Sequence, residues 1–143
     1  MNESILNFIA RQSCASICCI DEAGNPYCFS CFYAINTTEL HLYFKSSANS
    51  FHAKKLKQNP VIAGTILPDT LNKLFIKGVQ FEGIVLDPEL PVVKQSLVSY
   101  FKKYPLSLAF PGETWAVQIN RIKLTDSTLG FGKKEIWERT ATS

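Results

Sequence analysis

Residues 40–66, LHLYFKSSANSFHAKKLKQNPVIAGTI, carry the pattern that decides the fold and the candidate site. Apolar side chains alternate with more polar ones from Leu40 to Lys45, which predicts a half-buried β-strand. The small hydroxyl residues that follow are good helix caps, and Asn59-Pro60 ends the helix. A new apolar run begins at Val61. The segment therefore predicts a strand, a short helix and a second strand.

The start of this predicted helix has the chemistry of an anion-binding site. Hydroxyl groups and the free N–H groups of a helix N-terminus both favour negative charge. Helix capping and solvated surface lysines explain the same residues in purely structural terms. We nevertheless take a phosphate-bearing ligand as the first hypothesis, with these candidate residues: Ser46, Ser47, Asn49, Ser50, His52, Lys54, Lys55 and Lys57.

The composition favours one globular domain over residues 1–143. Apolar residues make up 46% of the chain, charged residues 19%, and the formal net charge is +3. These values indicate neither disorder nor a nucleic-acid-binding surface, so a small polar ligand or another protein is the expected partner. No apolar run reaches the roughly 18 residues that span a bilayer, and the N-terminus lacks a signal-peptide pattern. We expect a cytoplasmic protein without membrane contact.

The five cysteines do not indicate a metal site or a redox pair. Cys28 and Cys31 form a CxxC, and Cys18 is adjacent to Cys19. In an extended strand, residues one or three apart point to opposite faces, so neither pair can share a metal or readily form a disulfide. We expect buried free thiols in a reducing compartment.

The rest of the chain predicts mostly strands with short connections. Turn residues at 21–26 predict a hairpin, and Gly78 and Gly83 predict bulges or close backbone approaches. The LGFG run at 129–132 is assigned to a turn pinned by Asp126, because it lacks the third glycine of a dinucleotide fingerprint. The predicted strands are Ala15–Ile20, Tyr27–Asn36, the strand from Leu40, Val61–Leu67, Leu74–Leu86 and Trp115–Thr125; the predicted helices cover Asn2–Gln12, the segment after Ser50, and Asp87 to about Tyr104.

Six strands in a chain of this length favour closure into a small barrel. The predicted class is mainly β with flanking helices (α+β). Three segments, Ser50–Ile66, Ile76–Gly83 and Ile122–Arg139, resemble the YhbP-like branch of the pyridoxamine 5′-phosphate oxidase-like split barrels. The resemblance implies a six-stranded antiparallel split β-barrel that forms a homodimer, with flavin mononucleotide (FMN) bound at the subunit interface.

The resemblance also implies where the FMN phosphate binds. In such barrels the phosphate is held by the turn after the third strand and by the next helix. Ser46 and Ser50 match hydroxyl residues of the oxidase, whereas Phe51 and His52 occupy its adjacent Arg-Lys pair. The loss of the guanidinium should weaken binding, because histidine is charged only near or below pH ~6.5. Lys54 and Lys55 are possible substitutes.

The second strand departs from the oxidase as well. Phe29 and Ala34 stand where the oxidase has an arginine and a lysine near the flavin, so chemistry on pyridoxal phosphate is not expected. Main-chain groups around Cys31 and Phe32 can still bind the ring edge. Trp115 either lies near the partner's flavin or packs in the core or at the dimer interface. The cofactor-binding residues carried forward are Cys31, Phe32, Phe44, Ser46, Ser47, Ser50, His52, Lys55 and Trp115; no catalytic or metal-binding residue is assigned.

Three functions are compatible with this pattern. The first is an FMN-dependent oxidoreductase acting on a small-molecule substrate or electron donor. The second is a non-catalytic dimeric barrel that stores, senses or weakly holds flavin, which the missing arginine favours. The third is a barrel in which haem or a deazaflavin occupies the same cleft, as the resemblance allows.

Overall fold

The structure, a computed structural model, describes residues 3–109, 111–129 and 133–141 of the 143-residue chain. Strands predominate, and short helices flank them. The strands are β1 Cys14–Ile20, β2 Pro26–Asn36, β3 His41–Ser46, β4 Val61–Ile66, β5 Lys77–Val85, β6 Glu113–Asp126 and β7 Lys134–Glu138; the α-helices are α1 Glu3–Arg11, α2 Phe51–Gln58, α3 Pro91–Ser96 and α4 Val98–Lys103. Two 3₁₀ turns cover Pro105–Ala109 and Ser127–Leu129.

Six antiparallel strands close into a barrel. They run in the order β3-β2-β1-β4-β5-β6, and direct pairing of β3 with β6 closes the ring. β7 pairs with β6 as a seventh strand that the sequence pattern did not predict. The predicted six-stranded antiparallel split barrel with flanking helices is confirmed.

A close backbone approach explains one of the two glycines in β5 that the sequence singled out. The ladder between β5 and β6 shifts register between Glu82 and Gly83. A Cβ at Gly83 would lie 2.4 Å from the Gln118 carbonyl oxygen, closer than any side chain tolerates. The predicted irregularity at Gly83 is therefore confirmed, with the extra residue, Asn120, on β6, and the missing side chain of Gly83 permits the close approach. Gly78, predicted in the same way, pairs in register with Thr125 and forms no bulge.

β3 is buried on both faces, whereas the alternating pattern predicted a half-buried strand. Leu42 and Phe44 belong to the main core inside the barrel. Tyr43, on the opposite face, is fully buried in a second cluster with Val93 and Tyr100 of the α3–α4 segment. The prediction was wrong because a distant helical segment covers the face that the sequence suggested was exposed.

Two other boundaries differ from the predictions. The acidic start at Asp87 does not begin a helix: its carboxylate accepts a bond from the Glu89 N–H (2.9 Å), and α3 begins at Pro91. The helical segment is then divided at Leu97. The fifth strand begins at Lys77 rather than Leu74. Within the described ranges, no helix is long and apolar enough to cross a membrane.

The five cysteines are free thiols, as predicted, but they are not uniformly buried. Cys19 is buried, whereas Cys14 and Cys28 are exposed on the outer face of the sheet. Asp126 accepts bonds from the Thr128 N–H (2.9 Å) and hydroxyl (2.5 Å), so it pins the 3₁₀ turn Ser127–Leu129. Residues 130–132 of the LGFG run lie outside the described residues.

Candidate functional site

Ser46, Ser50 and His52 meet where β3 ends and α2 begins; we call this group the hydroxyl corner. The Ser46 hydroxyl lies 2.6 Å from His52 Nε2 and 3.3 Å from the Ser50 hydroxyl. Ser50 is the N-cap of α2, and its hydroxyl accepts a bond from the Ala53 N–H (3.2 Å). Because first-turn N–H groups lack intrahelical acceptors, the corner combines side-chain and main-chain donors.

His52 contributes a neutral donor or acceptor to the corner at neutral pH. Its ring stacks on Phe29 with ring centroids 3.8 Å apart and planes 9° apart. Burial lowers the pKa of His52 below its usual value, because a partly desolvated imidazolium is disfavoured. The positive charge that the sequence suggested is therefore weak at this position.

Phe51 stands outside the corner. Its ring is 60% exposed and packs edge-on against Tyr27, with centroids 5.0 Å apart. Lys55 Nζ lies 4.2 Å from the centre of the same ring. The position at which the related oxidase has an arginine is thus open to solvent, and the Phe51 ring does not fill the corner.

Lys55 forms an ion pair with Asp21 of the β1–β2 turn. Its Nζ lies 3.3 Å from Asp21 Oδ2, and both side chains are largely shielded from solvent. The Asn25 N–H and the Lys55 ammonium both lower the pKa of Asp21, so the carboxylate is charged at neutral pH. The charge of Lys55 is compensated before any ligand arrives.

Phe44 and Trp115 support the corner from inside the barrel. Their rings stack with centroids 6.2 Å apart, and both are at least nine-tenths buried. The Trp115 indole N–H points to the Ser46 carbonyl at 3.4 Å. Ser47 is a turn residue, and its carbonyl accepts bonds from the Ser50 hydroxyl (2.8 Å) and N–H (3.1 Å). These residues fix the end of β3.

β2 separates from β3 beside the corner. The ladder between them ends at the pair Tyr33–Phe44. The Tyr33 N–H donates to the Ser13 carbonyl of the loop before β1 (3.0 Å), so odd-numbered residues of β2 direct their main-chain groups toward β1. The N–H and C=O groups of Ser30 therefore face the opposite edge, which β3 no longer covers. This open edge begins where β2 and β3 diverge.

Cys31 and Phe32 lie at the fork between the two strands. Phe32 is 60% exposed, and its ring lies 6.0 Å from that of Tyr104. Cys31 faces inward with its Sγ 3.9 Å from the Ala15 carbonyl, and burial raises its pKa to about 12. The Cys31 thiol is thus protonated at neutral pH and does not act as a nucleophile.

The nine predicted site residues therefore divide into three groups. Ser46, Ser50 and His52 meet at the corner; Cys31 and Phe32 flank the open edge; the remaining four support or neighbour them. The contact between His52 and Phe29 and the ion pair of Lys55 with Asp21 had not been predicted, because packing between distant segments leaves no periodic signal. Among the described residues, no three His, Cys, Asp or Glu side chains are grouped to hold a metal.

Comparison with solved structures gives the fold. A heme-binding protein of Mycobacterium smegmatis superposes with a TM-score of 0.77 at 13% identity, over 92% of this chain and 55% of that chain. The heme storage protein HutZ of Vibrio cholerae gives 0.66 at 12% identity, over 83% and 89%. An FAD-binding protein of Mesorhizobium loti gives 0.62 at 17% identity, over 85% and 91%. At these identities the likeness establishes the split-barrel architecture alone.

Comparison with curated sequences gives the family, although no family model matches the chain. A UPF0306 protein of Photorhabdus laumondii is 35% identical over 135 residues, covering 94% of this chain and 94% of the relative. The UPF0306 protein YhbP of Escherichia fergusonii is 28% identical over 138 residues, covering 96% and 93%. This chain belongs to the UPF0306 family, the YhbP-like branch of the pyridoxamine 5′-phosphate oxidase-like split barrels.

Proposed function

We propose that this chain is a flavin-binding split-barrel protein whose hydroxyl corner receives the phosphate of FMN. The observation that carries the proposal is the meeting of the Ser46 and Ser50 hydroxyls with His52 Nε2 at the N-terminus of α2. Hydroxyl and N–H donors at a helix N-terminus suit a phosphate. Phe51 leaves the corner accessible, because its ring packs on Tyr27 instead.

The hydroxyl corner offers hydrogen-bond donors to a phosphate but little uncompensated positive charge. His52 is neutral at neutral pH, and Asp21 compensates the nearest lysine, Lys55. A phosphate held by neutral donors alone lacks the charge-assisted bonds that an arginine supplies. We therefore expect binding weaker than in the oxidase, which has an arginine at the position of Phe51.

The open edge of β2 suits a planar heterocycle. The outward N–H and C=O groups of Ser30 offer a donor and an acceptor beside the corner, and the exposed ring of Phe32 offers an apolar contact. A second copy of the chain placed over this edge would exclude water from the ring. The proposal accordingly includes a homodimer that completes the site.

Bound FMN supplies hydride or electron transfer to a small-molecule substrate or electron donor. The residues of this chain bind the phosphate, orient the ring and shield it from water. Cys31 remains protonated and His52 remains hydrogen-bonded to Ser46, so neither is assigned a role in proton transfer. The proposed activity is therefore of the oxidoreductase type, with the chemistry carried by the flavin.

A second candidate function is ligand storage or sensing without turnover. The compensation of Lys55 by Asp21 favours it, because a weakly held phosphate suits reversible loading. The solved relatives include proteins described as heme-binding and heme storage proteins, so haem is the alternative ligand. Haem and flavin can be distinguished by direct titration.

Titration with FMN tests the proposal. Flavin fluorescence quenching or equilibrium dialysis gives the Kd for the wild type and for Phe51→Arg, which restores a guanidinium at the corner. We expect Phe51→Arg to tighten binding by about 1–3 kcal/mol, or about 5- to 150-fold, and Ser46→Ala to weaken it. Gln58→Arg is the matched control, because it adds the same charge at the far, exposed end of α2.

The outcomes separate the candidates. Tighter binding in Phe51→Arg together with bleaching of bound flavin by a nicotinamide cofactor supports an oxidoreductase. Flavin binding without reduction supports storage or sensing. Equal affinities for Phe51→Arg and Gln58→Arg would refute the phosphate site, and a haemin Soret shift without flavin uptake would assign the cleft to haem.

A further inference from the structure

Cys18 and Cys28 face each other across the β1–β2 hairpin, in register with no residue between them. Two main-chain hydrogen bonds, one at each end of the hairpin, show which residue pairs of the ladder are hydrogen-bonded. The Tyr33 N–H donates to the Ser13 carbonyl (3.0 Å), and the Asp21 N–H donates to the Asn25 carbonyl (3.0 Å). Odd-numbered residues are therefore the hydrogen-bonded pairs, and Cys18–Cys28 is a non-hydrogen-bonded pair.

The non-hydrogen-bonded position of Cys18 and Cys28 brings the two thiols close together. In non-hydrogen-bonded antiparallel pairs the Cα atoms lie about 4.5 Å apart and the side chains are closer than in the other class. That separation falls within the range of disulfides, about 4.4–6.8 Å. The neighbouring Cys28 thiol and burial both raise the pKa of Cys18, because both favour the protonated thiol, in agreement with the proximity that the register gives.

The pair is open to small molecules. Cys28 is exposed and Cys18 half-buried on the outer face of the sheet. Both line a groove of about 460 Å³ whose other walls include Arg121 and Lys123. Glu82 lies in the same lining and pairs with Arg121 (3.8 Å), which also pairs with Glu138 (3.3 Å), so Lys123 is the side chain that favours the approach of an anionic reagent. Cys19 and Cys31 belong to the inner face and do not share this access.

We propose that Cys18 and Cys28 form a reversible cross-strand disulfide by exchange with low-molecular-weight disulfides such as oxidised glutathione. The Cys28 thiolate attacks one sulfur atom of the reagent, forming a mixed disulfide and releasing one thiolate. The Cys18 thiolate then attacks the Cys28 sulfur and releases the second thiolate. The two protons lost by the protein thiols are taken up by the two leaving groups, so two protein thiols are oxidised and one disulfide is reduced.

The location of the bond makes it reducible. An exposed disulfide in a short hairpin is accessible to attacking thiols, and such disulfides have more oxidising potentials than buried structural ones. The modification site does not depend on flavin binding, because neither cysteine belongs to the hydroxyl corner. The disulfide proposal can therefore be tested separately from the proposed flavin-binding function.

Peptide mapping of the full-length protein tests the proposal. The protein is equilibrated in buffers of reduced and oxidised glutathione, quenched with acid and alkylated. All five cysteines lie between Arg11 and Lys45, so trypsin leaves them on one peptide, whereas cleavage after glutamate separates Cys18 from Cys28 at Glu22. We expect peptides 4–22 and 23–39 joined, with a mass two hydrogens below their sum.

Variants identify the linked cysteines. Cys18→Ser and Cys28→Ser should each abolish the linked peptide, and Cys14→Ser should retain it, because Cys14 pairs with Phe32 and not with a cysteine. Cys14 and Cys28 are exposed and Cys18 is only half-buried, so none of these substitutions removes a core side chain. Return of free thiols in reduced glutathione would establish reversibility. A linked peptide that persists in Cys28→Ser, or two free thiols in excess oxidised glutathione, would overturn the proposal.

Discussion

Replacing Tyr33 with Phe should destabilise the barrel through a single buried hydrogen bond. The Tyr33 side chain is fully buried, and its hydroxyl donates to the Ile9 carbonyl in the last turn of α1 (2.5 Å). That carbonyl has no helical donor, because the Ser13 N–H that would continue the helix donates to Asp69 instead (2.8 Å). Tyr33 therefore caps α1 and ties it to β2.

The expected loss follows from the group left without a partner. Removing the hydroxyl strands a buried carbonyl, which costs about 1–3 kcal/mol of unfolding free energy. For a chain of this size each 1 kcal/mol lowers Tm by roughly 2–4 °C. Packing is unchanged, since Phe preserves the ring that lies 4.7 Å from Lys103 Nζ.

Urea unfolding followed by circular dichroism measures this loss. Tyr27→Phe is the matched control, because Tyr27 lies on the same strand and its hydroxyl bonds to no described residue; it should change stability by less than about 0.5 kcal/mol. Equal stabilities of Tyr33→Phe and the wild type would refute the capping role. A loss above about 4 kcal/mol would mean that the ring packing had also failed.

Alkaline pH gives an independent readout of the same residue. Burial raises the pKa of Tyr33 above that of an unfolded tyrosine, near 10. A raised pKa in the folded state contributes stability below pH 10 that is lost as the pH rises further. The wild type should therefore lose stability above pH 10 more steeply than Tyr33→Phe.

Other predictions concern separate parts of the structure. Gly83→Ala should lower the free energy of unfolding by about 1–3 kcal/mol, because the added Cβ would meet the Gln118 carbonyl. Gly78→Ala should be better tolerated, since the nearest neighbour of its Cβ is the flexible Leu67 side chain (3.3 Å). Urea denaturation of both variants measures the difference. Burial lowers the pKa of His52, so stability should fall as the pH drops below about 6.5, and denaturation at pH 7.5 and 5.5 should show a smaller difference in His52→Gln.

The local pattern of apolar, polar and turn residues predicted most strands of the barrel. The alternation in β3 and β6 and the turn residues at 21–26 each reflect a short-range constraint, and the corresponding elements form. The helix start at Asp87 was misplaced because an Asx turn and a helix cap share the same residues. β7 was missed because its five residues alternate too briefly.

The candidate site was predicted in part. Ser46, Ser50 and His52 are close in sequence, so a strand followed by a helix brings them together. Lys55 and Asp21 are 34 residues apart, and their pairing depends on how α2 packs against the hairpin. The pairing of Cys18 with Cys28 depends on hairpin register, which shifts when the turn boundary moves by one residue.

The closure of the barrel at β3 and β6 has a consequence for the order of folding. Its ladder joins Ser46 to Glu113 and Phe44 to Trp115, contacts that are distant along the chain and slow to form. The Trp115 indole N–H reaches the Ser46 carbonyl only once this seam has formed, so the support of the hydroxyl corner is completed late, and we expect partly folded chains to bind the proposed phosphate more weakly. A bound ligand would slow unfolding without accelerating refolding, and the fluorescence of Trp115 at this seam, measured in a Trp137→Phe background, would report both rates.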